Sequence, residues 1–349
     1  MANQPTIVVD TYGGNAAPDA ILAAAARQSL VGKAQLLLVG DAAELQRRLA
    51  GLSYDPMRLR IVGAPAPYPR QTGDALAATQ AARAALPVAL GLLVDGEGDA
   101  LVTAAPPGVA WQLARETLAS VVPGVAPALA SVVPTLPRSS GDDPFALVLD
   151  VSGEAAATAG QLIAFAVMGA AYAKVVSGVR QPQVSLLSTG LGLEEGPPAV
   201  VAAHRALKRI AGFQFVGNVR AVDIPRGYAD VVVSGGYTGH AVRGLLEGLA
   251  DLTIDAARYA WKSKVTWRAG LRLLSPGVGM LKRVSEFKEY GGSPLLGLDR
   301  LVLVANPDSS EAALANAIRL ASKCVRHGLR DEIARQLEAT RELWQEEGA

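Results

Sequence analysis

Thr6-Ile-Val-Val-Asp10-Thr-Tyr-Gly-Gly-Asn-Ala-Ala-Pro18 reads as a buried strand, a glycine loop and the first turn of a helix, in that order. The β-branched run fits a strand, and Pro18 suits the start of a helix continuing to about Leu30. The same succession returns along the chain. Gln35-Leu-Leu-Leu-Val39 leads through Gly40-Asp41 into a helix, Ala100-Leu-Val-Thr103 leads to Ala-Ala-Pro-Pro-Gly108, and Ala146-Leu-Val-Leu149 leads to Asp150-Val-Ser-Gly-Glu154. Val184-Ser-Leu-Leu187, Asp230-Val-Val-Val233 and Leu301-Val-Leu-Val304 complete seven such units. Short apolar strands alternating with Ala/Leu-rich helices predict an α/β chain, a multi-layer, mostly parallel sheet flanked by helices. Ligands of parallel sheets lie beyond the carboxyl ends of the strands, so these loops are expected to converge on one cleft.

With 349 residues, 50% of them hydrophobic and 19% charged, the chain can bury a large core. One two-lobed α/β domain is expected over residues 1–330, with a basic helical excursion at about 250–285 and a charged, solvated helix over 331–349. Lys+Arg 33 against Asp+Glu 32 leaves a net charge of +1, so no global field selects nucleic acid as a partner. The single cysteine, Cys324, excludes an internal disulfide framework, and with the scattered His204, His240 and His327 it makes no zinc pattern; no metal site is expected. The amino terminus runs into a strand without a basic or cleavable apolar segment, which together with the lone cysteine predicts a cytoplasmic protein. Thr117 to Pro137 is the least charged window, but Pro123, Pro127, Pro134 and Pro137 would break a spanning helix, and it reads as buried loop and short strand.

A glycine loop between strand and helix exposes N–H groups and the positive end of a helix dipole, which suits an anion such as phosphate. Gly13-Gly14 and Gly235-Gly236 are the candidates, though neither matches a Walker A or dinucleotide fingerprint and tight turns account for them equally well. Cys324 falls inside an apparent helix from Glu311 to Arg326, which favours packing over nucleophilic chemistry. His240 starts a helix after Tyr237-Thr-Gly239, where a helix-terminal role and acid–base chemistry are both open. Arg258, Lys262, Lys264, Arg268, Arg272, Lys282 and Arg283 form a basic run without acids that also holds Trp261 and Trp267. A surface built on Trp261, Lys264, Trp267 and Arg268 suits an anionic membrane, the acidic helix of a carrier protein, or a helical hairpin at a subunit interface.

These blocks also stand in a family order. Val9-Asp10-Thr-Tyr-Gly-Gly-Asn-Ala-Ala-Pro18, Leu149-Asp150-Val151, Phe165-Ala-Val-Met-Gly-Ala-Ala-Tyr-Ala173, Phe215-Val-Gly-Asn218, Asp223-Ile-Pro-Arg-Gly227 and Glu289-Tyr-Gly-Gly-Ser-Pro-Leu-Leu-Gly297 are similar to successive motifs of the phosphate acyltransferase (PlsX-type) family. The resemblance covers about residues 6 to 323. It implies a fold like that of isocitrate and isopropylmalate dehydrogenases and phosphotransacetylases, a homodimer, and peripheral association with the inner membrane face. It also implies a reaction of fatty acid and phospholipid synthesis, in which acyl-[acyl carrier protein] and phosphate give acyl phosphate and free carrier. Phosphate attacks the thioester directly, so that chemistry needs no cofactor, metal or covalent intermediate, only groups that orient phosphate and stabilise an oxyanion. On this resemblance Asp10, Asp150, Asn218 and His240 would be catalytic, and Gly13, Gly14, Asn15, Gly236, Thr238 and Ser309 would bind phosphate or substrate.

The departures from the family concentrate in the polar loops. Where the family has Ser-Ala-Gly-Asn-Thr-Gly this chain has Thr103-Ala-Ala-Pro-Pro-Gly108, whose Pro106 and Pro107 each lack an N–H. Glu154 puts a carboxylate where an amide is usual, Gly235 to His240 loses an acid and an amide, and the family's following lysine falls at Gly244. Ala305-Asn-Pro-Asp-Ser309 replaces Ala-His-Gly-Ser-Ser, and the family's basic run with paired serines is missing around Pro69-Arg70-Gln71. Two readings therefore stand: an active phosphate acyltransferase with a rebuilt site, or a catalytically inactive or repurposed paralogue that binds acyl chains, acyl carrier protein or membrane. A nicotinamide dehydrogenase, suggested by fold kinship, lacks the Gly-x-Gly-x-x-Gly loop after the first strand.

Overall fold

A computed structural model describes residues 4–15, 17–64, 85–136, 145–154, 156–263 and 291–347, with positions 266, 267, 270 and 272 between the last two ranges. All seven strands read from the sequence are present within a residue of their expected bounds: β1 (Thr6–Asp10), β2 (Gln35–Gly40), β4 (Ala100–Thr103), β6 (Phe145–Leu149), β7 (Gln183–Leu187), β9 (Val231–Val233) and β11 (Leu301–Val304). Four more strands join them, β3 (Leu59–Gly63), β5 (Ala128–Pro134), β8 (Gln214–Val219) and β10 (Ser293–Leu296). They form an 11-stranded sheet in the order β3-β2-β1-β4-β11-β10-β5-β6-β9-β7-β8.

The first half of the sheet, β3-β2-β1-β4-β11, is parallel throughout, and so is the second half, β6-β9-β7-β8. Between them β10 is antiparallel to both β11 and β5, and β5 is antiparallel to β6. Three successive reversals leave the two halves pointing in opposite directions. The carboxyl ends of the first half emerge at one end of the sheet and those of the second half at the other, so the expectation that all the strand-end loops converge on one cleft is corrected. The reason lies in two short connections, Pro134 to Phe145 between β5 and β6 and Leu296 to Leu301 between β10 and β11, which bring strands back antiparallel where a crossover helix would have kept them parallel.

Alternation along each strand feeds two faces: Ile7 and Val9 pack on one side of the sheet and Val8 on the other. On the first side, α1 (Asp19–Val31), α2 (Ala42–Leu49) and α8 (Glu311–Arg326) cover the first half, while α5 (Ala159–Tyr172), α6 (Pro198–Leu207), α9 (Leu329–Ala339) and α10 (Arg341–Glu346) cover the second. On the other side lie α3 (Ala85–Val94), α4 (Pro107–Thr117) and the beginning of α7 (Gly236–Ser263), which contributes Val242 and Leu246.

Three local features bear on the expectations. Helix α5 with the turn after it, Ala159–Ser177, is long and apolar enough to cross a membrane, but 83% of its apolar window is buried in the protein, which makes it the central helix of the core. Of the Thr117 to Pro137 window, Thr117 ends α4 and the described residues after it are loop and turn followed by β5, while Pro137 lies outside the described residues. The single solvated helix expected at the carboxyl end is two helices that bury Ile333, Leu337 and Trp344; their charge density masks an apolar stripe, and the Trp344 indole donates to the Leu337 carbonyl at 2.9 Å. Helix α7, 28 residues and so about 42 Å long, outruns the sheet, leaving Leu245, Leu249 and Leu252 exposed. Trp261 and Trp267 are exposed as well, and Lys264, Arg268 and most of the basic segment lie outside the described residues.

Candidate functional site

Because β1, β4 and β11 are adjacent, the loops that follow them meet at one end of the sheet. Asp10 is 2% exposed. It accepts the Tyr12 N–H on Oδ1 at 3.0 Å and the Thr103 hydroxyl on Oδ2 at 2.7 Å, and Thr103 in turn accepts the Ala105 N–H. A side chain at Gly13 would come within 2.6 Å of the Ala105 nitrogen and 2.7 Å of Asp10 Oδ2, so this glycine serves close approach of two loops. Gly14 packs against Ala104 and the Pro307 carbonyl; the Asn15 N–H donates to that carbonyl at 2.7 Å and its side chain to Asp308. Ser309 is buried, its N–H donating to the Asn306 carbonyl at 2.9 Å.

The second half repeats the arrangement at the other end. Asp150, also 2% exposed, accepts the N–H groups of Leu129 and Ser152 on Oδ1, each at 2.8 Å, and the Ser152 hydroxyl on Oδ2. A side chain at Gly236 would come within 2.7 Å of Asp150 Oδ2, and one at Gly239 would overlap the Asp150 carbonyl. The Tyr237 N–H is already given to the Glu154 carbonyl at 2.7 Å, so the Gly235-Gly236 turn is closed against its neighbour. Burial raises both carboxyl pKa values above the ordinary aspartate range, against the pull of the hydrogen bonds each accepts.

Asn218, on β8, is buried with its Nδ2 donating to the Gly192 carbonyl at 2.8 Å; His204 Nδ1 lies 2.8 Å from its Oδ1, which makes the imidazole the donor. The His204 ring meets Phe215 edge-on at 4.9 Å. This pair ties α6 to the loop after β7. Thr238 and His240 sit exposed in the first turns of α7, His240 reaching toward the Val151 carbonyl at 3.4 Å. The sequence-derived residues thus fall into three separate groups. Four strands, β4, β11, β10 and β5, lie between the carriers of Asp10 and Asp150, a span of about 24 Å at the usual strand spacing.

What lies between the two halves is a pocket that strand-end reasoning missed. Pro107 at the start of α4, Ser131 on β5, Ser293 on β10, Asn306 after β11, and Arg243 and Glu247 on α7 line it, with a free volume of ≈ 40 Å³. Arg243 Nη2 donates to Glu247 Oε1 at 2.7 Å, and the two side chains are only 13% and 22% exposed. Arg243 Nε is buried with no hydrogen-bond partner among the described residues. The signal available in the sequence was the i, i+4 spacing of Arg243 and Glu247 on a helix that follows a glycine loop. A roomier cavity of ≈ 350 Å³ lies toward the opposite end of β11, lined in part by Asp99, Leu296, Arg300 and Cys324. Burial pushes the Cys324 thiol up to about 12, which leaves it protonated and unreactive, the packing role read from the sequence. Among the described residues, no group of three or more His, Cys, Asp or Glu is placed to hold a metal ion.

Residues 5–331 match the family described as "Fatty acid synthesis protein". The chain belongs to this family. Its relatives include proteins named phosphate acyltransferase from Desulfitobacterium hafniense (31% identical, 95% of this chain and 97% of the relative), Moorella thermoacetica (32%, 93% of each) and Thermosynechococcus vestitus (33%, 94% of each). The fold is shared with a phosphotransacetylase from Streptococcus pyogenes (TM-score 0.58, 16% identity, 93% of this chain and 95% of that one). It is shared as well with a putative 4-hydroxythreonine-4-phosphate dehydrogenase from Salmonella typhimurium (TM-score 0.53, 15% identity, 92% and 99%). Against the family's motifs, the departures have structural counterparts. Pro106 and Pro107 open α4, and the Val109 and Ala110 N–H groups both return to the Pro106 carbonyl, so Gly108 is the first residue of that turn with an N–H to offer. Glu154 stands 3.7 Å from Arg115, which offsets the charge it adds. Gly244 lies exposed on α7, one residue past the buried Arg243.

Proposed function

We propose that this family member transfers an acyl group from acyl-[acyl carrier protein] to inorganic phosphate. A phosphate oxygen attacks the thioester carbonyl carbon, the carbon–sulfur bond breaks, and the carrier leaves as a thiol after taking a proton, giving acyl phosphate. The observation that carries this reading is the polar, cation-bearing pocket between the halves of the sheet, in a chain matched over 93–97% of its relatives named phosphate acyltransferase. Held in such a pocket, the nucleophile needs positioning and charge stabilisation and no group that bonds covalently to the acyl carbon. Asp10, Asp150 and Asn218 then act as positioning residues that brace the loops, with Gly13, Gly14, Asn15, Gly236 and Ser309 packed around them, while His240 and Thr238 on α7 are the exposed candidates to meet substrate. The exposed end of α7, with Trp261 and Trp267, supplies the surface for carrier protein, an anionic membrane or a second copy in a homodimer.

The two prolines opening α4 and the glycine in place of the family's lysine support a second reading, a non-catalytic relative that keeps carrier or acyl-chain binding. One assay separates the two. Purified protein is incubated with acyl-[acyl carrier protein] and phosphate, and acyl phosphate is trapped with hydroxylamine. Phosphate-dependent hydroxamate is expected; its absence beside an active relative, with carrier binding retained, selects the second reading.

A further inference from the structure

We propose that Arg243 anchors one tetrahedral phosphate in the pocket between the sheet halves. The proposal deepens the acyltransferase reading and rests on it for the identity of the anion. A guanidinium carries five donors in a planar fork, and one buried donor left unpaired costs about 1–3 kcal/mol unless a ligand or water completes it. Arg243 lines the pocket, gives Nη2 to Glu247 at 2.7 Å and has Nε buried without a hydrogen-bond partner among the described residues, so Glu247 takes up only part of the fork. Carboxylate and phosphate oxygens fit a guanidinium best because their spacing allows two parallel hydrogen bonds.

The surroundings favour a small anion. A free volume of ≈ 40 Å³ takes about three waters, the scale of a small anion. Ser131, Ser293 and Asn306 bring neutral donors to the same space, and since Asn306 Oδ1 already accepts the Asp308 N–H at 2.9 Å, its amide nitrogen is the end left to donate. Pro107 opens α4, so the positive end of that helix dipole faces the pocket, with Gly108 offering the first N–H of the turn. Among the described residues Glu247 is the one acidic side chain in the lining, and its bond to Nη2 makes it a positioning residue that holds the guanidinium in place. The family's lysine would fall at Gly244, one residue and about 100° further round α7, where the chain is exposed; the cation has moved onto the side of the helix that faces the pocket.

The test is calorimetric titration of inorganic phosphate into the full-length protein, with urea unfolding to confirm that each variant is folded. Wild type is expected to bind phosphate, Arg243→Gln to weaken it at least about tenfold, and Arg243→Lys to recover part of the loss. Glu247→Gln keeps the arginine and removes the competing negative charge, so phosphate should bind severalfold more tightly; a purely structural ion pair would give no gain. Equal phosphate affinity in wild type and Arg243→Gln, or no phosphate binding by wild type, overturns the anchor. The hydroxylamine assay keeps the two proposals apart. Phosphate binding that depends on Arg243 without acyl phosphate formation removes the acyltransferase reading alone, whereas equal acyl phosphate formation by wild type and Arg243→Gln removes the anchor alone.

Discussion

The loop networks at the ends of the sheet and the pocket between its halves use polar groups in opposite ways. Around Asp10 and Asp150, each carboxylate oxygen accepts a hydrogen bond, a hydroxyl from Thr103 or Ser152 closes the network, and a glycine across the gap lets the backbones touch. In the pocket an arginine stands beside hydroxyl and amide side chains that line open space, its Nε buried without a partner among the described residues. A carboxylate at a strand end before a glycine loop is therefore no sign of catalysis by itself. Its environment decides: two aspartates with the same exposure as the core are held in closed hydrogen-bond networks, and the polar-lined pocket lies against α7 at Arg243 and Glu247.

The largest effect that would break this contrast is on the glycines. Gly239→Ala would drive a methyl group into the Asp150 carbonyl and should destabilise by about 3 kcal/mol or more in urea unfolding, since the obstacle is backbone. Gly244→Ala, with nothing within 4 Å, should instead stabilise by about 1 kcal/mol through helix propensity. Equal, small effects at both sites would mean that the second-half loop is a loose cradle.

Asp150 gives the next largest effect and separates brace from catalyst. Asp150→Ala strands the buried Leu129 N–H and the Ser152 donors and should cost roughly 3 kcal/mol, whereas Asp150→Asn can still accept both N–H groups on one oxygen and should cost about 1 kcal/mol or less. Acyl phosphate formation should follow stability, lost in the alanine variant and largely kept in the asparagine one. Activity abolished in a fully stable Asp150→Asn would make the carboxylate a participant.

A smaller effect concerns pH. Burial raises the Asp10 pKa above the ordinary aspartate value, so the folded state holds that proton more tightly than the unfolded state does. As pH rises from the unfolded pKa to the raised folded one, this group loses stability, because a charge is then buried at 2% exposure. Asp10→Asn has no charge to bury. Its melting temperature relative to wild type should climb as pH rises from 4 and level off once the wild-type carboxyl is ionised; a difference flat with pH would mean that the Asp10 carboxyl is ionised throughout.

Much of the fold was legible because its signals are local. Apolar runs such as Gln35 to Val39 mark strands through contacts between near neighbours in the chain, and Ser310 ahead of Glu311 to Arg326 caps a helix whose bounds were read to the residue. The family was legible too, since its motifs are contiguous. The shared cleft was wrongly expected because strand direction depends on which strands pair across the sheet, and the antiparallel β10 joins Pro294 to Leu303 and Leu295 to Leu129, partners that no periodicity announces.

By itself the sequence determined the α/β class, the positions of seven strands, the structural character of Cys324 and the family. Tertiary structure alone decided that the halves of the sheet run in opposite directions, that Asp10 and Asp150 are spent on internal hydrogen bonds, and that Pro107, Ser131, Arg243, Ser293 and Asn306 share one pocket. The physical reason is range. Secondary structure is set by a few successive residues, whereas a binding pocket is the sum of five chain segments whose meeting is enforced by burial of the core they surround.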